Sequence, residues 1–513
     1  MPVSVRQVLS RRCGEGSGPV LFEGSSDRTL TWNQVAARVA GWQASEADHP
    51  GRRVGVAIGD PLSMAAEYLA ALAAGVTIAP LNPEAAPGEL AAQARALGLH
   101  AVLTDTDNTG RTDALAEAGC ALWRPGPAGP AVWLEGAGSQ RADLPGGAAL
   151  IMFSSGTTGE PKVIPVSEAQ LLHTASNVVG HLGLDAGQRG FSPLPLWHIN
   201  GLVVGVLASA VGGASLVVER RFSRRGFWSS VARHRPTWCN LVPAMLSVLS
   251  NDDGGPPDDH RIRLVRSASA PLPAAVRERF ERRFHIPIIE TYGMTEAASQ
   301  ITANPLGERR PGSVGIACGV ELRVVDAGNV VVAAGTEGHV QIRGAGVTGT
   351  YWAAAGRRPS RRPALGPGSW LPTGDVGRLD RDGYLWLVGR DDDVINRGGE
   401  KVQPREVEEC LAADPRVLVA VVVARPHPTV GQEPVAYVVA HAGVAPAELA
   451  ADLERRCTRT LSRYKRPATI QVLDAMPSGP TGKPRRGELR RLAALDDQTR
   501  RHQTPAFTTV NVG

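Results

Sequence analysis

"IMFSSGTTGEPKVIPVS", Ile151 to Ser167, is the stretch on which the rest of the chain turns. Ser154, Ser155, Thr157 and Thr158 put four hydroxyl donors within five residues, Gly156 and Gly159 let backbone N–H groups approach a ligand, and Lys162 adds a cation. That combination suits a polyphosphate. It is not a Walker A loop, because Pro161 stands where a glycine should precede the lysine and Val163 where Ser or Thr should follow it. A flexible Ser/Thr/Gly surface loop has the same composition. Against it stand the apolar strand-like run before the loop and the rarity of lysine: of 55 Lys plus Arg residues only Lys162, Lys401, Lys465 and Lys483 are lysines.

On either side of this loop, short β-branched runs ("RVGVAIG", "HAVLTD", "ALIMFSS", "ASLVVE", "IRLVRSASA") alternate with alanine-rich stretches such as Pro61 to Ala74, the pattern of βαβ units. From about Gly312 the texture changes to closely spaced β runs with glycine turns, which predicts an antiparallel or barrel-like subdomain over 312–389. A helix is expected to open near Pro404, where proline suits a first turn, and another to span Pro446 to Ser462. The expected architecture is α/β: a large domain of layered α/β subdomains plus the β-barrel-like part over 1–389, a small α+β domain over 390–496, and a loose tail over 497–513.

Bulk properties exclude several function classes. An apolar fraction of 43% with 20% charged residues describes a globular protein, and 513 residues imply two or three domains. A net charge of +5 over that length, with no run of five or six like charges, makes no field suited to nucleic acid. The N-terminus lacks a signal-peptide apolar stretch and no 18-residue apolar segment occurs, so a cytoplasmic address without membrane insertion is expected. Six scattered cysteines show no metal-ligand spacing and read as small buried hydrophobes.

Further segments follow in order: "PLWHINGL" (Pro195 to Leu202), "RSASAPL" (Arg266 to Leu272), "ETYGMTEAAS" (Glu290 to Ser299), "WLPTGDVGRLDRDGYLWLVGRDDD" (Trp370 to Asp393), "VINRGGEKVQPREVE" and "PTGKPRR". Together with the hydroxyl loop they resemble the adenylate-forming superfamily of acyl-CoA synthetases, peptide-synthetase adenylation domains and luciferases. The resemblance runs from about Leu30 to Leu489.

That resemblance implies a role for each motif. Ser154 to Gly159 and Lys162 would bind the phosphates of ATP. Ser269, Ala270 and Pro271 would lie along one face of adenine, with Thr291, Tyr292, Gly293 and Met294 supplying the other and Tyr292 stacking on the base. Thr295 would hydrogen-bond the α-phosphate and Glu296 would hold Mg²⁺. Asp375 and Arg390 would reach the ribose, and Asp392 would be the hinge about which the small domain rotates. Gly399, beside Gly398, would let a pantetheine arm pass while Lys401 meets a CoA phosphate; His198 either lines the passage between acid and thiol or is a structural histidine.

Lys483 would be the catalytic cation. Carboxylate attack on the α-phosphorus brings two anions together, and a compact ammonium can bridge both where a wide guanidinium fits poorly. Its neighbours Arg485 and Arg486 show that arginine served elsewhere in the same loop. Three positions depart from the pattern: Val163, the pair Asn396 and Arg397, and Thr291, whose bulk at the acyl pocket argues against a long unbranched fatty acid. The implied reaction joins a small-molecule carboxylic acid to a thiol at the expense of ATP, the acceptor being CoA or, alternatively, a carrier-protein phosphopantetheine. A nucleotide-binding protein without catalysis would have no use for Lys483, and a P-loop NTPase lacks its Walker A residues.

Overall fold

A computed structural model of the chain describes residues 4–16, 18–48, 53–134, 147–154, 162–349, 351, 368–479 and 483–503. The helix expected at Pro61 to Ala74 forms over those residues. Asp60 caps it by accepting from the Ser63 N–H, Pro61 occupies the first turn, and Gly75 closes it at φ +82°. Everything from Met64 to Ala73 is buried, as befits a helix apolar on all sides. Its one charge, Glu67 at 0% exposure, accepts from Trp42 Nε1 at 2.8 Å and Arg38 Nε at 3.2 Å. This helix touches strands of both large sheets and so fills the layer between them.

One of those sheets has seven strands, in the order Ala131–Leu134, Ala121–Arg124, Ala101–Thr104, Arg53–Ala57, Thr77–Pro80, Leu150–Ser154, Lys162–Val166. The other has nine, and its parallel strands Arg189–Ser192, Ser215–Val218, Trp238–Leu241, Leu264–Ser267 and Ile288–Met294 form its centre. The connections leaving the C-terminal ends of three of these strands carry His198, Ser269 and Thr295. In open parallel sheets that end is where ligands bind.

Residues 312–389 hold the expected antiparallel structure. Glu321–Val325, Gly338–Arg343, Leu371–Leu379 and Leu385–Arg390 form a meander in which each strand pairs with its sequence neighbour, so among the described residues the sheet stays open and does not close into a barrel. Beyond Arg390 a separate sheet begins, built from Ile395–Arg397, Glu400–Val402, Val417–His427, Gly431–Ala440 and Thr469–Leu473. The helices Pro404–Ala412 and Pro446–Thr460 pack on it through Val407, Leu411, Leu449, Leu453 and Cys457.

The chain end differs from expectation. In place of a loose tail from Asp497, the helix Arg486–Gln503 continues through 497–503, and 504–513 lie outside the described residues. Leu489 and Ala493, both fully buried beside Val421, Val423 and Tyr437, anchor its first turns, and once anchored a helix propagates at little cost.

Candidate active site

Leu150–Ser154 and Lys162–Val166 are the two arms of an antiparallel hairpin in which Ser154 stands opposite Lys162. The hydroxyl-rich stretch therefore connects two strands whose ends are clamped in register. Ser155, Gly156, Thr157, Thr158 and Gly159 themselves lie outside the described residues. Lys162 Nζ sits 5.6 Å from the ring centroid of Tyr351, whose hydroxyl donates to Glu296 Oε1 at 3.1 Å. The Thr348 N–H donates to the Glu296 carbonyl at 2.7 Å. One tyrosine thus separates the phosphate-loop lysine from the candidate metal carboxylate. Tyr351 and Thr348 escaped the sequence reading because "RGAGVTGTYW" carries no local pattern that points at Glu296, some fifty residues earlier.

Glu296 fits a Mg²⁺ ligand. It is buried, yet among the described residues no cation is salt-bridged to it, so its charge is left for a ligand to balance. No group of three or more His, Cys, Asp or Glu placed to hold a metal ion occurs among the described residues. A single carboxylate suits Mg²⁺, which takes most of its octahedron from phosphate and water oxygens.

A second group gathers from three distant segments. Tyr292 lies in Ile288–Met294, whose register shifts between Tyr292 and Gly293 where it turns back along Ser299–Ala303. Glycine is required at 293, since a Cβ there would lie 1.6 Å from the Ser299 carbonyl oxygen. The Tyr292 hydroxyl donates to Asp375. Asp375 stands opposite Arg390 in the next ladder, with Arg390 Nε 3.9 Å from Oδ1, and Arg390 Nη2 also donates to the Thr373 carbonyl at 3.4 Å. Burial, reinforced by the neighbouring Asp375 charge, raises the Tyr292 pKa well above its usual value. Burial also raises that of Asp375, against the pull of Arg390, Tyr292 and Lys483.

Lys483, more than ninety residues beyond Arg390 in the chain, comes within electrostatic reach of Arg390 and Asp375. Crowding by the cleft walls, then the Arg390 charge, lowers its pKa, while Asp375 and Asp393 oppose the shift. The residue nevertheless remains exposed to solvent.

The remaining predicted residues divide. Ser269 holds φ +74°, a left-handed conformation uncommon outside glycine, at the turn after Leu264–Ser267; Ser269 and Pro271 are exposed and Ala270 half-buried. Met294 and Thr295 are half-buried. Thr291 is buried with its hydroxyl turned onto the Ser267 carbonyl at 3.2 Å. His198 precedes an eight-residue π-helix, Asn200–Leu207, a rare form that recurs at functional sites. Its Nε2 is buried without a partner, and burial pushes its pKa down to about 4, so the ring is neutral at pH 7.

Gly399 and Lys401 are not brought to this cleft. They sit on the exposed hairpin Ile395–Arg397 and Glu400–Val402, which is tied to the small lobe by Arg397 Nη1 donating to the carbonyls of Tyr464 at 3.0 Å and Arg466 at 3.1 Å. Asp392 is exposed in the short turn Asp391–Asp393, where its carbonyl accepts from Arg490 Nη2 at 3.3 Å.

Comparison with known proteins gives one consistent answer. The family model described as "AMP-binding enzyme" matches residues 14–352, and "AMP-binding enzyme C-terminal domain" matches 406–483. The sulfoacetate–CoA ligase of Cupriavidus necator is 41% identical over 347 residues, covering 67% of this chain and 67% of its own. Among solved structures, an anthranilate CoA ligase in complex with anthranoyl-AMP superposes with a TM-score of 0.83 at 26% identity, covering 97% of this chain and 98% of that one. The o-succinylbenzoate coenzyme A synthetase of Bacillus subtilis in complex with ATP and magnesium ion gives 0.77 at 27% identity, covering 94% and 98%.

Proposed function

The chain belongs to the AMP-binding enzyme family and is an AMP-forming acid–thiol ligase, and from that premise we propose how its residues divide the work of two half-reactions. The enzyme condenses a carboxylic acid with ATP, releasing pyrophosphate and forming an acyl-adenylate, then passes the acyl group to the CoA sulfur with loss of AMP. ATP, Mg²⁺ and CoA are its co-substrates and cofactor.

The observation that carries the residue assignment is Lys483 within electrostatic reach of Asp375 and Arg390. In the first half-reaction Lys483 holds the attacking carboxylate and the α-phosphate oxygens together, lowering their repulsion as charge builds on the phosphoryl group. Asp375 and Arg390 position the ribose, and the Tyr292 hydroxyl, fixed on Asp375, holds the ring against the base. Thr295 donates to the α-phosphate. Glu296 would hold Mg²⁺, which supplies charge neutralisation at the leaving pyrophosphate alongside Lys162 and the hydroxyl loop.

For the second half-reaction the small lobe, 390–496, rotates about Asp392 against the large lobe, 1–389. Lys483 leaves the cleft and Gly399 and Lys401 enter it, taking the thiol arm and its phosphate. The exposure of that hairpin, whose bonds among the described residues run to the small lobe, supports this exchange. Neutral His198 lines the path between acid and thiol. The six free cysteines agree with a reducing compartment, so we place the enzyme in the cytoplasm; among the described residues no helix is long and apolar enough to cross a membrane.

The test is an acid panel assayed for pyrophosphate release with ATP and Mg²⁺, then for thioester formation with CoA and, separately, with a holo carrier protein. Acid-dependent release followed by CoA thioester is the expected result. Thioester on the carrier and none on CoA would reassign the acceptor.

A further inference from the structure

Arg266 is 1% exposed, at the end of the strand Leu264–Ser267 that runs directly into the Ser269 turn. Its guanidinium meets no carboxylate among the described residues. Nη1 donates to the side-chain oxygens of Asn200 at 3.1 Å and Asn240 at 3.0 Å, and Nη2 to that of Gln300 at 3.3 Å. All three are neutral amides. Nε is buried with no partner.

Two other buried guanidiniums in this protein are matched by charge: Arg277 faces Glu290 at 3.4 Å and Arg425 faces Glu433 at 2.6 Å. An uncompensated buried cation is destabilising, and three amides satisfy its hydrogen bonds without balancing its charge. Burial pushes the Arg266 pKa down to about 10, which still leaves it charged at neutral pH.

The donor geometry says what is missing. A guanidinium has five N–H donors, and the three bonds above use three. Nε–H and one Nη2–H remain, and Nε with Nη2 forms the edge that grips a carboxylate or sulfonate through two parallel bonds. The residues that hold this guanidinium border the candidate site. Asn200, which holds Nη1, begins the π-helix two residues after His198, and its Nδ2 donates to Ser269 Oγ at 3.3 Å on the candidate adenine turn. Gln300, which holds Nη2, lies four residues after Glu296.

We propose that the acid activated by this enzyme carries a second anionic group, a carboxylate or sulfonate, and that Arg266 neutralises it. Arg266 is then a specificity-determining residue, and the substrate is a short dianionic acid in place of a simple aliphatic or aromatic monoacid. The inference rests on the ligase reading and adds to it the chemistry of the acyl group.

Pyrophosphate release is measured at saturating ATP and Mg²⁺ with matched pairs: succinate against butyrate, malonate and sulfoacetate against propionate, with benzoate added. We expect kcat/KM for the dianionic member to exceed its partner by at least about 100-fold. In Arg266→Gln, with folding followed by thermal melting, that ratio should fall below about tenfold. If the variant does not fold, the wild-type ratios decide. Release with butyrate, propionate or benzoate equal to or above that with the dianions overturns the inference and leaves the ligase reading intact. A ratio that survives in folded Arg266→Gln removes Arg266 from the assignment. No release with any acid defeats the ligase reading itself.

Discussion

Replacing Lys483 by alanine should separate the two half-reactions, and the structure bounds the size of the effect. Two other cations lie near enough to substitute, and both are committed. Arg390 is held by Asp375 and the Thr373 carbonyl, and Arg486 by Glu408 at 2.6 Å and Asp393 at 3.5 Å. The loss is therefore that of one cation–oxyanion contact in the transition state, which costs about 10²–10³ in rate, or about 2.7–4 kcal/mol. Because Lys483 is exposed to solvent, screening places the expected loss near the lower figure, about 100-fold.

The assay is pyrophosphate release for the first half-reaction and CoA thioester formation from a synthetic acyl-adenylate for the second. Lys483→Ala should lose the first and keep the second within about threefold, since a charge needed only for adenylation contributes nothing afterwards. Lys483→Arg should fall between the two, retaining charge in a bulkier, planar head. Equal loss in both half-reactions, or a first-step loss under tenfold, would refute the assignment. The lowered pKa adds a signature: the ammonium is the working form, so adenylation should decline as pH rises, with a midpoint below the usual lysine value of 10.5. That alkaline limb should vanish in Lys483→Arg.

Asp375→Asn removes the charge on which Tyr292 and Arg390 converge; the ATP KM should rise about 10- to 150-fold, the worth of one charged hydrogen bond, while the KM for the acid changes little in steady-state kinetics. Asp392→Pro stiffens the turn Asp391–Asp393, and adenylation should survive while thioester formation is lost; unchanged overall turnover would rule out a hinge there. Gly293→Ala drives a methyl to within 1.6 Å of a backbone oxygen, so urea unfolding should show a destabilisation of at least about 1–3 kcal/mol. Gly399→Ala, where a Cβ meets nothing within 4 Å, should cost only about the 1–2 kcal/mol of its φ of +91°.

Local chemistry made much of this protein legible in advance. The helix Pro61–Ala74 carries its own cap, proline start and glycine stop, and the strands ending at Ser154 and Ser267 are short apolar runs bounded by turn residues. Each such element is specified by neighbours in the chain, so a linear reading reaches it. The tail was misjudged for the converse reason: the anchor of Arg486–Gln503 is Leu489 and Ala493 against Val421 and Val423, contacts that no window of sequence contains.

The sequence by itself also determined the set of chemical parts: a hydroxyl-rich loop, a tyrosine before Thr295 and Glu296, an Asp375 and Arg390 pair, and one lysine kept among arginines. Which parts act together was decided only by the tertiary structure. Tyr292 meets Asp375 across 83 residues of chain and Tyr351 meets Glu296 across 55, because sheet register and the packing of elements within the large lobe set those distances. Arg266 shows the division most sharply. In sequence it is one arginine among dozens, and only its burial among three amides, with an unused Nε and no carboxylate beside it, turns it into a statement about the substrate. The charge of a residue is written in the chain, but whether that charge is balanced depends on neighbours that folding alone supplies.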